Sequence, residues 1–418
     1  MIGTDSDLFV AGKRPLEGQR VAMLHESTVH GDMRVIRQVE ELVAQGAVVT
    51  VWCPSLDVAH EKDDAFLLPG VEFRHRTSLG PSLDGRPVAA TAGEVAEFER
   101  WATGEITDWS PSVIAHHHPE TLPLGVRLAS QLDLPLVSDF NDMPSENVGT
   151  RQFGVLPRRP WRFHPKRAAD AELRRLYPRA AARMTVAPGL AKELGRRYRV
   201  PEPHVVLNVP RIRLSSALHG DRARPTLREH LALDDGDRLM VYVGHVNPRR
   251  NVEALLATLV ESPGWHLAIV GSARWRLEKF GLWERIPTSD RKRVHIVETQ
   301  QESELPSFLA SADCGVFIPQ ALNFNLYNCA PNKFFAMALA GIPVVVTDLP
   351  FLAGEVARLG IGVTVRSTQS AVVRDALERA VAMKEEVRSL QPKVADEYAW
   401  EHQAERLLAA YSEAISSG

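Results

Sequence analysis

Short unbroken apolar runs alternate along this chain with segments in which apolar residues recur at helical spacing. Arg20-Val21-Ala22-Met23-Leu24 reads as a buried strand, His25 to Asp32 as a loop, Val35, Val39, Leu42 and Val43 as one face of a helix, and Val48 to Trp52 as the next strand. The same order returns about halfway along, with a strand at Leu239 to Val243, a loop from Gly244 to Arg250, a helical face of Val252, Leu255, Leu256 and Leu259, and a strand from His266 to Val270 that ends in Gly271. Strand, loop, helix, strand is a βαβ unit, and its repetition predicts an α/β chain of two doubly wound domains. Ligands of such sheets collect beyond the carboxyl ends of the strands. The loops after Leu24, Val243 and Val270 are therefore the expected site-bearing segments.

A third pattern, Ala330-Pro331-Asn332-Lys333-Phe334-Phe335-Ala336-Met337-Ala338-Leu339-Ala340-Gly341-Ile342-Pro343-Val344-Val345-Val346-Thr347-Asp348, reads as a short helix followed by a buried strand. Pro331 suits a first helical turn, where its missing N–H is not needed, and Gly341-Ile342-Pro343 stops the helix before an apolar run typical of a parallel strand. Asn332 and Lys333 then lie at the helix N-terminus. Free N–H groups, the positive end of the helix dipole and the lysine charge suit that end to an anion such as a diphosphate. Near the end of the chain, Ala404, Leu407, Leu408, Tyr411 and Ile415 fall at helical spacing.

Composition narrows the classes. With 418 residues and 44% apolar content the chain can form two cores of ordinary size. A net charge of -3 and a pI near 6.6 argue against a general nucleic-acid binder. No apolar run approaches the roughly 20 residues that span a bilayer. The start, Met1-Ile2-Gly3-Thr4-Asp5-Ser6-Asp7, lacks the basic-then-apolar order of a signal peptide, so a cytoplasmic location is expected. Cys53, Cys314 and Cys329 have no zinc-type spacing; the first two are expected as core thiols, and Cys329 lies in the loop before Pro331.

The order Pro331-Asn332-Lys333-Phe334-Phe335, then Met337 and Ala340-Gly341-Ile342-Pro343-Val344-Val345, resembles the signature of family-4 retaining glycosyltransferases with the GT-B fold. The resemblance extends from about Arg20 to Trp400. It implies two Rossmann-like domains facing across a cleft: an acceptor-binding domain over 1–212, a nucleotide-sugar domain over 213–395, and a helix over 396–418 that crosses back to the first. Asn208-Val209-Pro210 is similar to the run at the family's domain boundary, and Tyr398-Ala399-Trp400-Glu401 to the motif before the crossing. An ordinary C-terminal helix is the alternative. The chain departs from the signature at both acids of its Glu-x7-Glu motif, which fall on Asn328 and Ala336. The acid near the Met holds the ribose hydroxyls in the family, and hydrogen bonds to a charged group contribute about 1.5 to 3 kcal/mol, so its loss weakens nucleotide binding without abolishing it. Asn323, Asn325, Asn328 and Asn332 offer amides as replacements.

The resemblance also ranks the candidate residues. Gly31 matches the glycine of the acceptor loop, and Asp32-Met33-Arg34-Val35 resembles the Asp-x-Arg-Val of one branch; Asp32 is equally a plausible helix N-cap. Within His116-His117-His118 adjacent rings point to opposite faces, which argues against one zinc ion shared by the run. Aligned on Thr121-Leu122-Pro123, the family histidine falls on His117, a candidate for hydrogen bonding to the donor or orienting the acceptor, with a core or capping role as the alternative. Asp139 and Asp142 match the two acids of an Asp-x-His-Glu pattern, where Asn141 replaces the histidine; turn roles are the alternative. In Gly244-His245-Val246-Asn247-Pro248-Arg249-Arg250-Asn251 the two diphosphate-binding bases of the family fall on His245 and Arg250, with Arg249 as a further base. Gln152 to Arg167, basic, aromatic and broken by prolines, reads as an ordered loop near the acceptor, with a plain surface loop as the alternative; contact with an anionic membrane is the less favoured reading.

The expectation that results is a metal-independent, hexosyltransferase-type retaining enzyme with no cofactor. It moves a sugar from a nucleotide diphosphate donor, of GDP or UDP type, to a small-molecule acceptor, with specialised metabolism as the setting. His117, Arg250 and Lys333 are the expected catalytic residues. Gly244, His245, Arg249, Arg250, Tyr327, Asn328, Asn332, Lys333 and Phe334 are assigned to the donor, and Gly31, Asp32, His117, Asp139 and Asn141 to the acceptor. A nucleotide-sugar epimerase of the same fold and a non-catalytic partner protein are the rival readings.

Overall fold

The structure is a computed structural model that describes residues 14–26, 32–55, 71–77, 92–147, 165–211, 225–234, 236–247 and 250–417. The chain divides into two compact units, Met1–Val206 with Ala404–Gly418, and Leu207–Gln403. Among the described residues no helix is long and apolar enough to cross a membrane.

The first unit is built on a seven-stranded sheet in the order β3-β2-β1-β4-β5-β6-β7. Its strands are β1 (Arg20–Leu24), β2 (Val48–Ser55), β3 (Glu72–Thr77), β4 (Val113–His117), β5 (Leu136–Phe140), β6 (Ala182–Thr185) and β7 (His204–Val205). Every pairing is parallel, with Leu24 of β1 beside His116 of β4. The order runs outward from β1 on one side and from β4 on the other, so the crevice outside their carboxyl ends is the topological switch point. Val21, Ala22, Met23 and Leu24 are all fully buried, as expected of a strand covered on both faces.

Asp32 caps the helix Met33–Ala44 by accepting from the backbone N–H groups of Arg34 and Val35. That helix lays Val35, Ile36, Val39 and Leu42 on Val21, Met23, Val49 and Val51. Leu407, Leu408, Ala410, Tyr411 and Ala414 of the last helix, Trp400–Ser416, complete the same core. Each fully buried Val or Leu contributes about 1.5 to 3 kcal/mol, so this helix is an integral part of the first unit.

The second unit carries a six-stranded parallel sheet in the order β10-β9-β8-β11-β12-β13. These strands are β8 (Arg238–Val243), β9 (Trp265–Val270), β10 (Val294–Val297), β11 (Cys314–Phe317), β12 (Val344–Thr347) and β13 (Gly362–Val365). Its switch point lies between β8 and β11. The helix Asn332–Leu339 packs closely on β11 because position 315 is glycine: a Cβ there would stand 2.4 Å from the sulfur of Met337. Cys53 and Cys314 are buried, as their apolar surroundings predict.

Candidate functional site

The second unit gathers positive charge at its switch point. Pro331 is extended and serves as the N-cap of the helix Asn332–Leu339, so Asn332 and Lys333 are its first two residues. Their N–H groups have no carbonyl one turn earlier to bond. The Lys333 side chain runs back beneath the end of β8, placing its amine 5.4 Å from the ring centre of Tyr242 and 5.1 Å from that of Phe317. Gly244 makes room for it. A Cβ at position 244 would stand 2.9 Å from Lys333 Nζ, and the backbone φ of +112° independently favours glycine.

Arg250 joins the lysine, with its guanidinium 5.8 Å from the centre of the Phe317 ring. Next to it, Asn251 donates from its side-chain amide to the carbonyl of Ile318 at 3.1 Å, fastening the loop after β8 to the chain leaving β11. Tyr242 Oη donates to the His245 carbonyl and Gly244 N–H donates to the Val270 carbonyl, so the glycine loop is held from two sides. Burial and the nearby Arg250 charge hold the Lys333 pKa well below its ordinary 10.5. Among the described residues neither Lys333 nor Arg250 is paired with a carboxylate. Asn332 adds a buried side-chain oxygen that has no hydrogen-bond partner there.

His245 departs from expectation. Desolvation and the charges of Arg276, Lys333 and Arg250 lower its pKa from 6.5, against a backbone hydrogen bond with Gly271, so it is a weaker base here than a free imidazole. Arg276, from the helix Arg274–Lys279 in the segment after β9, is close enough to shift it and brings a third fixed charge to this end of the sheet. No motif singles out Arg276; its signal is that it follows a strand whose carboxyl end faces the same crevice.

Two further assignments change. Phe334 is fully buried among Phe335, Phe351 and Tyr398, so it anchors the helix and is not presented to a ligand. Asn328 uses its amide to donate to the carbonyl of Phe324, closing the short helix Phe324–Tyr327, whereas Tyr327 is exposed. Ala336, where the resemblance leads one to expect a carboxylate, is buried. Arg249 and Gly31 lie outside the described residues, as does most of the Gln152 to Arg167 segment.

The first unit is organised differently. Arg34 grips Asp139 with two hydrogen bonds, Nε to Oδ2 at 2.8 Å and Nη2 to Oδ1 at 2.7 Å, and donates a third from Nη1 to the Val206 carbonyl. Gln38 donates to Asp139 Oδ2 at 2.7 Å, and His117 Nδ1 lies 3.1 Å from the same oxygen. Burial pushes the Asp139 pKa up, but the Arg34 charge and the contacts from His117 and Arg34 outweigh it and hold the carboxyl well below its ordinary range. Asp139 is thereby committed to the interior and does not stand ready for an acceptor. Burial also lowers the His117 pKa, against the opposing pull of Asp139, and leaves the ring neutral at pH 7.

Above this buried layer sit the more accessible groups. Side-chain exposure is 1% at His117 and Asp139, 9% at His118 and 23% at Asp32. His116 faces inward and is satisfied by Ser138 Oγ at 2.7 Å and by the His118 carbonyl at 3.1 Å. Asn141 has a buried side-chain oxygen without a hydrogen-bond partner among the described residues. The structure thus brings Asp32, His117 and Asp139 to the carboxyl ends of β1, β4 and β5, with Asn141 just past β5, and adds His25, which the sequence reading placed only as the start of a loop.

Residues 32–210 match the profile described as Glycosyl transferase 4-like domain. The chain is 24% identical over 369 residues to a D-inositol 3-phosphate glycosyltransferase of Segniliparus rotundus, an alignment that covers 84% of this chain and 77% of that protein. Among solved structures, sucrose-phosphate synthase of Thermosynechococcus elongatus is similar with a TM-score of 0.67 at 16% identity, covering 96% of this chain and 100% of that one. HepE of Anabaena, solved in complex with UDP, is similar with a TM-score of 0.65 at 15% identity, covering 94% and 100%.

Proposed function

From the match of residues 32–210 to a glycosyl transferase 4-like domain and the GT-B fold of the solved neighbours, we propose that this chain is a glycosyltransferase that transfers a sugar, with retention, from a nucleotide diphosphate donor to a small-molecule acceptor. The observation that carries this reading is the pair of cations at the end of β8. Lys333 and Arg250 are packed together against aromatic rings with no carboxylate between them among the described residues, an arrangement in which charge costs free energy until an anion arrives. A diphosphate would neutralise both and accept from the N–H groups of Asn332 and Lys333.

Its charge grows as the glycosidic bond breaks, so cations fixed beforehand stabilise the transition state more than the ground state. In a retaining transfer the acceptor attacks from the face that the diphosphate leaves, and the departing oxygen takes the acceptor proton. The acceptor would meet the first unit at Asp32 and Asn141, above the layer of His117 and Asp139. UDP is the leading nucleotide because HepE was solved with it. A small acceptor in specialised metabolism remains part of the proposal.

Calorimetric titration with UDP, GDP, ADP and dTDP tests the donor half, and one of them, UDP first, is expected to saturate a single site. Release of that nucleotide from its sugar conjugate only when an acceptor is supplied tests the transfer half. Absence of binding by all four nucleotides would overturn the reading.

A further inference from the structure

Two imidazoles and a carboxylate from three separate segments meet at the switch point of the first unit. His25 follows the last residue of β1, His118 follows the last residue of β4, and Asp32 precedes the helix Met33–Ala44. His25 Nε2 and His118 Nε2 each lie 3.3 Å from one oxygen, Asp32 Oδ2. The other oxygen, Oδ1, is occupied by the backbone of Arg34 and Val35, so the carboxylate offers a single atom to the two rings. One ligand atom from each of the three residues falls within 4.8 Å of the others.

These separations have a meaning beyond hydrogen bonding. Nitrogen and oxygen ligands at about 2.0 to 2.1 Å from a tetrahedral ion stand about 3.3 to 3.4 Å from one another, the spacing that Asp32 Oδ2 keeps to both rings. The rings are nearly perpendicular, with centres 5.2 Å apart and an interplanar angle of 81°. His118 is held in this place by a backbone φ of +67°, unusual for a residue with a side chain, and by donation from its N–H to the Asp139 carbonyl at 3.2 Å. On the far side of its ring, Nδ1 lies 3.8 Å from Glu26 Oε1, beyond hydrogen-bond reach but near enough to favour a positive charge on this side of the ring.

We propose that His25, Asp32 and His118 form a site for one divalent transition-metal ion of the zinc class. Three protein ligands leave a fourth position for water or for an oxygen of a bound ligand. The argument against a metal within His116-His117-His118 concerns neighbours on one strand; this set takes only the last ring of that run and finds its partners elsewhere. It lies in the first unit and leaves the departure of the diphosphate in the second to Lys333 and Arg250.

The test uses the full chain, stripped with a chelator and titrated with Co2+ in the absence of nucleotide and acceptor, so that its outcome is independent of the donor reading. One Co2+ per chain is expected, with visible bands of a four-coordinate site, no thiolate charge-transfer absorption, and displacement by Zn2+. Asp32→Asn keeps a good helix cap and His118→Asn suits a positive φ, so both variants should melt like the metal-free parent. Loss of a direct ligand should weaken Co2+ binding in each by more than the roughly tenfold that marks the milder outer-shell changes. Failure of the stripped parent to bind Co2+, or equal binding by the parent and both variants, would overturn the proposal.

Discussion

The carboxyl ends of the two sheets share one topology and opposite electrostatics. In the first unit the buried Asp139 is held by Arg34, Gln38 and His117, so its charge has its partner inside the protein. In the second, Lys333, Arg250 and Arg276 converge without a carboxylate among the described residues. The buried carboxylate at this crevice is therefore paired in one unit, and the basic groups are left without a carboxylate in the other. A scaffold of parallel strands decides where a ligand goes; the charges left unpaired there decide which ligand it is.

The contrast can be broken most severely by replacing Arg250 and Lys333 together with Ala. Each charge-assisted contact contributes about 1.5 to 3 kcal/mol, so nucleotide binding should weaken by about a hundred- to ten-thousand-fold in calorimetric titration. Unliganded stability should hold or rise, because desolvated like charges are removed. Arg34→Met should do the reverse, lowering stability by about 3 to 5 kcal/mol in urea denaturation because Asp139 is left charged and buried. If Arg34→Met were neutral and the double variant unfolded, the assignment of a paired carboxylate to one unit and unpaired basic groups to the other would be inverted.

Gly244→Ala probes a smaller effect. Strain of about 1 to 3 kcal/mol at its positive φ, and displacement of the Lys333 amine, should reduce nucleotide affinity by roughly tenfold, measured beside the melting temperature.

Protonation separates the units by pH. Burial takes the His116 pKa from 6.5 down to about 3, so between those values the unfolded chain binds a proton that the folded chain refuses. Stability should then fall as pH drops through that window, by up to about 1.4 kcal/mol per pH unit for each such proton, with a further loss below pH 3.8 as the Asp139 ion pair is protonated. Lys333 titrates below its ordinary 10.5. Its lowered pKa makes unliganded stability increase with pH up to 10.5, and a nucleotide that restores its charge should take up a proton there, detectable by titration in buffers of different ionisation enthalpy.

Much of this plan was legible in the sequence. The runs at Arg20 to Leu24, Leu239 to Val243 and His266 to Val270 became β1, β8 and β9 with boundaries shifted by a residue at most, because strands buried on both faces write themselves as unbroken apolar segments. The placement of Asn332, Lys333, Gly244 and Arg250 at one switch point followed from the same order of elements.

Pairings that depend on three dimensions were not legible. Arg34 and Asp139 are 105 residues apart, and His118 and Asp32 are 86 apart, distances at which local periodicity carries no information. Phe334 sits on the side of its helix that faces Phe351 and Tyr398, which only the packed structure reveals. The pKa of His245 depends on Arg276, a residue beyond the next strand whose approach no spacing rule announces.

The last helix carries a consequence for how this molecule is made. Leu407, Leu408, Tyr411 and Ala414 fill the hollow beside Val21, Val39 and Val49, so the first unit lacks part of its interior until residues 407–414 have emerged from the ribosome. The second unit, by contrast, has all of its strands once residue 365 is free. Assembly during translation would then complete the core of the second unit before that of the first, and a frameshift just ahead of residue 404 would damage the first unit while leaving the strands of the second intact.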